Sequence, residues 1–259
     1  MQVTIETVIL TAVMVTTMIA ALYTAYNMVE AQVQTVDLNN AKNLVKYLAD
    51  AIEQLAVGSG GARYVRFPAV KGIPEYSTDV GVIRVYVYNG SWVEVCSDEY
   101  DVFMYRGGEL AAFAEEVVRP EVKPDVKEKL IVGLNDPVVV VYTARLGRPY
   151  VIMEAARVRA GYLGTYTVGR AFEEKVYHVY LIEYVKLVVG NITGSGKITV
   201  IAENRGVRLD TYIVPSSTIM VRVEKDGDVA EVQLKPENPS AAPESYVIVR
   251  VVEIRVRGP

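Results

Sequence analysis

A single histidine, His178, and a single cysteine, Cys96, bound the chemistry available to this chain of 259 residues. A Ser-His-Asp triad, a Cys-His pair or a histidine-based metal site would each need His178. It lies in Val176-Tyr177-His178-Val179-Tyr180-Leu181, an alternating run that predicts a strand, and it reads as a structural histidine. Cys96 follows Trp92-Val93-Glu94-Val95 in another such run and reads as a small buried hydrophobe with no neighbour to activate it. Being alone, it excludes an internal disulfide and any multi-cysteine metal cluster.

The remaining polar groupings are as weak. Gly190 to Lys197 resembles a phosphate loop, yet five residues separate Gly190 from Gly196 and Ile198 stands where the Mg²⁺-binding hydroxyl belongs. It is expected to be a hairpin turn. Asp98-Glu99-Tyr100-Asp101 offers oxygens for Ca²⁺ but lacks the ligand spacing of an EF-hand, so a solvated turn is expected. Glu115-Glu116 and Glu173-Glu174 are adjacent pairs whose side chains diverge on either regular structure, which suits no acid/base couple. The sequence thus offers no enzyme active site, cofactor motif or metal site. Two sequons, Asn89-Gly90-Ser91 and Asn191-Ile192-Thr193, make Asn89 and Asn191 candidate N-glycosylation acceptors if the protein is exported.

The elements that frame these residues are more telling. Residues 7–29 carry no charged side chain, and about 20 apolar residues suffice to cross a bilayer as a helix. From Glu30 to Val57 the chain stays free of Pro and Gly, and apolar residues recur at Val33, Val36, Ala41, Leu44, Leu48, Ile52 and Leu55, the spacing of one helical face. One helix is therefore expected from near residue 4 to near residue 57, about 80 Å long at about 1.5 Å per residue. Gly58-Ser59-Gly60-Gly61 would stop it. Thr at 7, 11, 16, 17 and 24 and Ala at 12, 20, 21 and 25 permit close approach of a second helix. The first basic residue is Lys42, so the start lacks the positive region of a secretory signal and reads as the end left after a leader is removed. A net charge of −4 leaves no excess of Lys and Arg to neutralise phosphates, which argues against nucleic-acid binding.

Beyond Gly61 the pattern becomes β-like: Val80 to Val95, Pro137 to Val158, Lys175 to Val189, Lys197 to Ala202, Thr218 to Val223, Val229 to Leu234 and Ser245 to Val256. Turns are expected at Asn89-Gly90, Gly194-Ser195-Gly196, Asn204-Arg205-Gly206 and Asp226-Gly227-Asp228, the last joining a hairpin. A short helix is expected at Glu109 to Val118, with Leu110, Phe113 and Val117 on one face. The fold class is therefore α+β: a long hydrophobic then amphipathic N-terminal helix, residues 1–57, followed by a mostly antiparallel, sandwich-like β head, residues 58–259. The stretch Arg119 to Lys129 is the candidate boundary within the head. Eighteen Tyr against four Phe suit broad sheet faces or subunit contacts where a ring packs and its hydroxyl meets water.

An apolar helix that becomes amphipathic and then meets a β-rich head resembles the type IV pilin superfamily, in particular archaeal pilins and archaellins. The resemblance is strongest over residues 1–57, where Val8-Ile9-Leu10 is similar to the apolar opening of those subunits. It implies a leader peptidase, insertion of the helix in the cytoplasmic membrane, and an assembly platform that packs helices into the core of an extracellular homopolymer serving adhesion or cell contact. Glu6 is similar to the acidic residue that family carries at mature position five, being fifth from Gln2 and sixth from Met1. It reads either as a helix-start acid favoured by the helix dipole or as the partner of a neighbour's N-terminal amine during assembly. On this reading assembly would bury Glu6 and the face containing Val33, Leu44, Leu48, Ile52 and Leu55. The rival expectation is a membrane-anchored surface β-domain that binds a ligand or coat protein and never polymerises.

Overall fold

The computed structural model describes residues 2–58, 60–69, 71–120, 129–168, 175–192 and 196–259. Helix α1 runs from Gln2 to Val57, 56 residues without a break, as the absence of Pro and Gly requires. Among the described residues thirteen strands follow: β1 (Ala62–Ala69), β2 (Ile73–Tyr88), β3 (Trp92–Arg106), β4 (Val117–Arg119), β5 (Ile131–Val132), β6 (Val140–Leu146), β7 (Arg148–Glu154), β8 (Val158–Val168), β9 (Lys175–Val189), β10 (Gly196–Val214), β11 (Ile219–Lys225), β12 (Asp228–Leu234) and β13 (Ser245–Arg257). They form a six-stranded sheet in the order β1-β10-β13-β9-β8-β5 and a seven-stranded sheet in the order β12-β11-β2-β3-β7-β6-β4. All pairings are antiparallel except β13 with β9 and β5 with β8. The α+β class holds.

Among the described residues the two larger of three buried clusters hold most of the interior, the third being Tyr100, Val102, Ile152 and Ala156. In one, Ile83 and Val85 of β2 and Val221 and Val223 of β11 meet Tyr180 and Ile182 of β9 and Val247 and Val249 of β13, sheet against sheet. In the other, the second half of α1 enters the sandwich: Leu38, Val45, Leu48 and Ile52 pack with Phe67 of β1, Phe103 of β3, Val200 of β10 and Ile254 of β13. Phe67 anchors this end, its ring 5.8 Å from Phe103 and 5.9 Å from Tyr105. The helix is thus part of the head's core over its last turns and leaves it entirely over its first.

Several local expectations are met. The expected hairpin pairs β11 with β12 around Asp226-Gly227, both at positive φ. Asn89-Gly90 turns β2 into β3. Gly81 has its own reason: a Cβ there would lie 2.0 Å from Asp226 Oδ1, and that carboxylate accepts from Val82 N at 3.2 Å and from the Tyr100 hydroxyl at 2.5 Å.

Others are corrected. Asn204-Arg205-Gly206 is a β-bulge inside the long strand β10, where Asn204 Oδ1 accepts from Gly206 N at 3.0 Å. The stretch Gly190 to Lys197 is no hairpin turn, because β13 lies between β9 and β10 in the sheet; residues 193–195, with most of the expected Gly194-Ser195-Gly196 turn, lie outside the described residues. Asp98 to Asp101 is no solvated turn but the middle of β3. The helix expected at Glu109 to Val118 does not form, since its backbone N–H groups are claimed elsewhere. Leu110 N donates to Gln34 Oε1 at 2.7 Å, Ala112 N to Thr35 Oγ1 at 2.8 Å and Glu116 N to Thr143 Oγ1 at 2.9 Å. The boundary proposed at Arg119 to Lys129 falls mostly on residues 121–128, outside the described residues. Strands from both sides of it interleave in the seven-stranded sheet, where β3 pairs with β7.

Candidate functional site

The apolar half of α1 has no cover from its own chain. Every described side chain from Thr7 to Tyr26 is exposed, among them Leu22 at 71 % and Tyr23 at 68 %. Four of its threonine hydroxyls are folded back onto the helix: Thr11, Thr16, Thr17 and Thr24 donate to the carbonyls four residues earlier at 2.7–2.9 Å. With those donors satisfied internally, the surface offered outward is apolar and uncharged, suited to lipid or to other helices. Among the described residues one helix is long and apolar enough to cross a membrane, Thr7–Val57, and none of the span's most apolar window is buried.

Where the head begins, polar side chains of α1 grip its backbone. Glu30 pairs with Lys71 at 2.9 Å. Asp37 Oδ2 accepts from Gly72 N and from the Tyr105 hydroxyl, both at 2.9 Å; burial, then that hydrogen bond to a carboxylate, holds the Tyr105 hydroxyl protonated well above its ordinary range. Glu53 is the centre of the joint. Its Oε1 accepts from Val138 N at 2.7 Å and Val139 N at 2.9 Å, and lies 3.4 Å from Arg119 Nη1. Its Oε2 accepts from Arg159 Nη2. Arg159 continues to Glu183 at 2.6 Å, Glu183 to Arg250 at 2.5 Å, and Arg250 returns to the helix at Ala56 O, 2.6 Å. Arg119 also reaches Asp50 at 2.7 Å. Asn204 Nδ2 caps the helix by donating to Leu55 O at 2.8 Å. These bonds fasten α1 to the head from Glu30 to Ala56.

The sequence-expected assembly residues divide on this geometry. Val33 is exposed, at 39 %, and Leu44 is half-buried against the cluster that contains Leu48 and Ile52. Leu48, Ile52 and Leu55 are 0 %, 0 % and 4 % exposed, so the face expected to await assembly is already covered by the chain's own head. The amphipathic period was read correctly, but one apolar face fits a fold's own core as well as a neighbour. Glu6 lies on α1, with its side chain outside the described ones. Asn89 is exposed at the β2–β3 turn, and Asn191 is exposed after β9 with its carbonyl accepting from Gly258 N at 3.1 Å; Thr193 of that sequon is outside the described residues.

The single histidine and the single cysteine are both buried within the head. His178 is fully buried, Nδ1 2.9 Å from Thr165 Oγ1 and Nε2 3.4 Å from Pro239 O. Cys96 is buried, and burial followed by the charge of Asp98 pushes its thiol up to about 12, which leaves no thiolate near neutrality. Asp98 pairs with Lys186 at 2.5 Å, raising the lysine, while Asp101 accepts from Asp79 N at 3.0 Å and Val189 N at 2.7 Å. These carboxylates line a cleft of ≈ 690 Å³ together with Arg84, Glu99 and Glu253. Among the described residues no group of three or more His, Cys, Asp or Glu side chains is placed to hold a metal ion. Glu115 and Glu116 are exposed, Glu116 pairing with Lys42 at 2.6 Å, and Glu173-Glu174 lie outside the described residues.

What the sequence reading missed is the ionic joint itself. A signal was there: Glu53 shares the helix face of Ala49 and Ala56, and an acid on a buried face demands partners. No family model, curated protein or solved structure matches this chain.

Proposed function

We propose that this chain is a structural subunit that polymerises through the first half of α1 into an extracellular helical filament of type IV pilus-like design, for adhesion or cell contact. One observation carries the reading. An uncharged helical surface from Thr7 to Val29, bare of any cover from its own chain, is the direct continuation of a helix whose other half is locked into a large β head. A helix fastened to its head suits a lattice in which helices pack centrally and heads point out, because the head's position is then fixed by the core. Before assembly the same surface is accommodated by the cytoplasmic membrane. The partner is the chain itself, with a leader peptidase and an assembly platform supplied by the cell, and exposed Asn89 and Asn191 stand as glycan acceptors on the head.

A second reading is favoured by the cleft beside Asp98, Lys186 and Glu253: a membrane-anchored β-domain that holds a ligand or coat protein without polymerising. Shearing native cells and identifying the proteins of the released fibres by mass spectrometry separates the two. The chain in fibres supports the first reading; the chain retained wholly in membranes, absent from fibres, overturns it.

A further inference from the structure

The exposed side of α1 carries a seven-residue repeat that runs past the membrane-length segment and along the head. Every seventh residue from Val15 gives Val15, Leu22, Val29, Val36 and Asn43, and every seventh from Ala12 gives Ala12, Ile19, Tyr26, Val33, Asn40 and Tyr47. All are exposed, from Val33 at 39 % to Leu22 at 71 % where values decide, and none is charged. The two series alternate at spacings of three and four, which places them in a single seam. Leu38, Val45 and Ile52, which the head covers, lie on the opposite side of the helix. Charges that flank the seam are drawn to the head: Glu30 pairs with Lys71 at 2.9 Å, and Asp50, which ends the Val15 series, pairs with Arg119 at 2.7 Å.

Lipid does not account for the whole seam. Val8 to Val36 spans about 42 Å at about 1.5 Å per residue, against about 30 Å of hydrocarbon. Val33 and Val36 sit beside Gln34 and Asp37, whose side chains hold Leu110 N and Gly72 N of the head. Sinking them in lipid would sink the head as well. A cover for them must therefore be apolar, rod-like with the same repeat, and held at the same height above the membrane. A second copy of this chain, inserted in the same orientation, meets all three requirements.

We propose that two copies of α1 pack in parallel along this seam from Ala12 to Tyr47, with Asn40 and Asn43 facing their counterparts and fixing the register, as a polar residue in an apolar seam does. The proposal rests on the reading of α1 as an association element and adds which face associates and how far. The test is oxidative cross-linking of the full chain in native membranes and in any fibres. Val36→Cys and Asn43→Cys are compared with Leu209→Cys, 61 % exposed on β10, and with the unaltered chain, whose only thiol is the buried Cys96. Disulfide-linked dimers at least tenfold more abundant for Val36→Cys and Asn43→Cys than for Leu209→Cys are expected, because a disulfide needs Cα atoms within about 7 Å. Seam cysteines that give no dimer and react freely with a membrane-impermeant maleimide overturn the seam. Seam dimers without fibres keep the seam and remove the filament; fibres whose seam cysteines stay unlinked keep the filament and remove the seam.

Discussion

Replacing Glu53 tests whether the ionic joint holds helix and head together. In Glu53→Gln the amide oxygen can still accept from Val138 N and Val139 N, at 2.7 and 2.9 Å in the parent, but Arg119 and Arg159 each lose one of the two carboxylates they face, keeping Asp50 and Glu183 respectively. Those two guanidiniums keep only 13 % and 11 % of their side-chain exposure. Removing one partner of a buried ion pair costs about 3–5 kcal/mol, and the retained hydrogen bonds place Glu53→Gln near the lower figure. Glu53→Ala also strands two backbone N–H groups at about 1–3 kcal/mol each, so it should exceed Glu53→Gln by about 2 kcal/mol or more. For a head of roughly 200 residues each kcal/mol lowers the melting temperature by about 2–4 °C. Thermal unfolding of the full chain in detergent, followed by near-ultraviolet circular dichroism, should then show Glu53→Gln lowered by about 6–12 °C and Glu53→Ala by more. A cycle with Arg159→Met should return a coupling of about 1–3 kcal/mol. Equal melting temperatures for Gln, Ala and parent would refute the joint.

Leu48→Ala should destabilise the head by about 2–5 kcal/mol in the same assay, whereas Val36→Ala, on the bare side, should stay within about 0.5 kcal/mol; equal effects would mean that the two faces of α1 are not different in kind. Stability should fall on the alkaline side. Cys96 is raised from its ordinary 9 to about 12 in the folded chain and Tyr105 and Tyr142 are also raised, so the folded state holds protons that the unfolded state releases. Their contribution is complete below about pH 9 and lost above it, and a melting temperature flat from pH 8 to 11 would contradict this. Glu6→Ala should reduce filament yield with the head's unfolding unchanged, and normal filament yield would remove Glu6 from assembly.

The parts of the fold set by local pattern were legible. The uncharged run 7–29, the three-to-four spacing of Leu48, Ile52 and Leu55, and Asp226-Gly227 each specify a helix, a face and a hairpin within a few residues of chain. What the pattern omits is what a face meets. The same spacing serves a neighbour's helix or the chain's own sheets, and only the arrangement of β1, β10 and β13 around α1 decides that Leu48 and Ile52 belong to the core. The Glu109 to Val118 segment failed for a related reason: its helical spacing was weaker than the pull of Gln34, Thr35 and Thr143, residues 27 to 77 positions away in sequence. Sheet order was equally hidden, since the parallel pairing of β13 with β9 joins segments separated by β10 and the β11–β12 hairpin. Asn204 shows the same limit, its turn-favouring sequence being used for a bulge and a helix cap.

The most direct test of the filament is a helical reconstruction by electron cryo-microscopy of fibres sheared from native cells. It should place α1 residues 7–29 of many copies side by side at the fibre centre, with β heads outside and no lipid layer around the helices. Fibres lacking this chain, or fibres joined head to head with α1 left at the periphery, would contradict it.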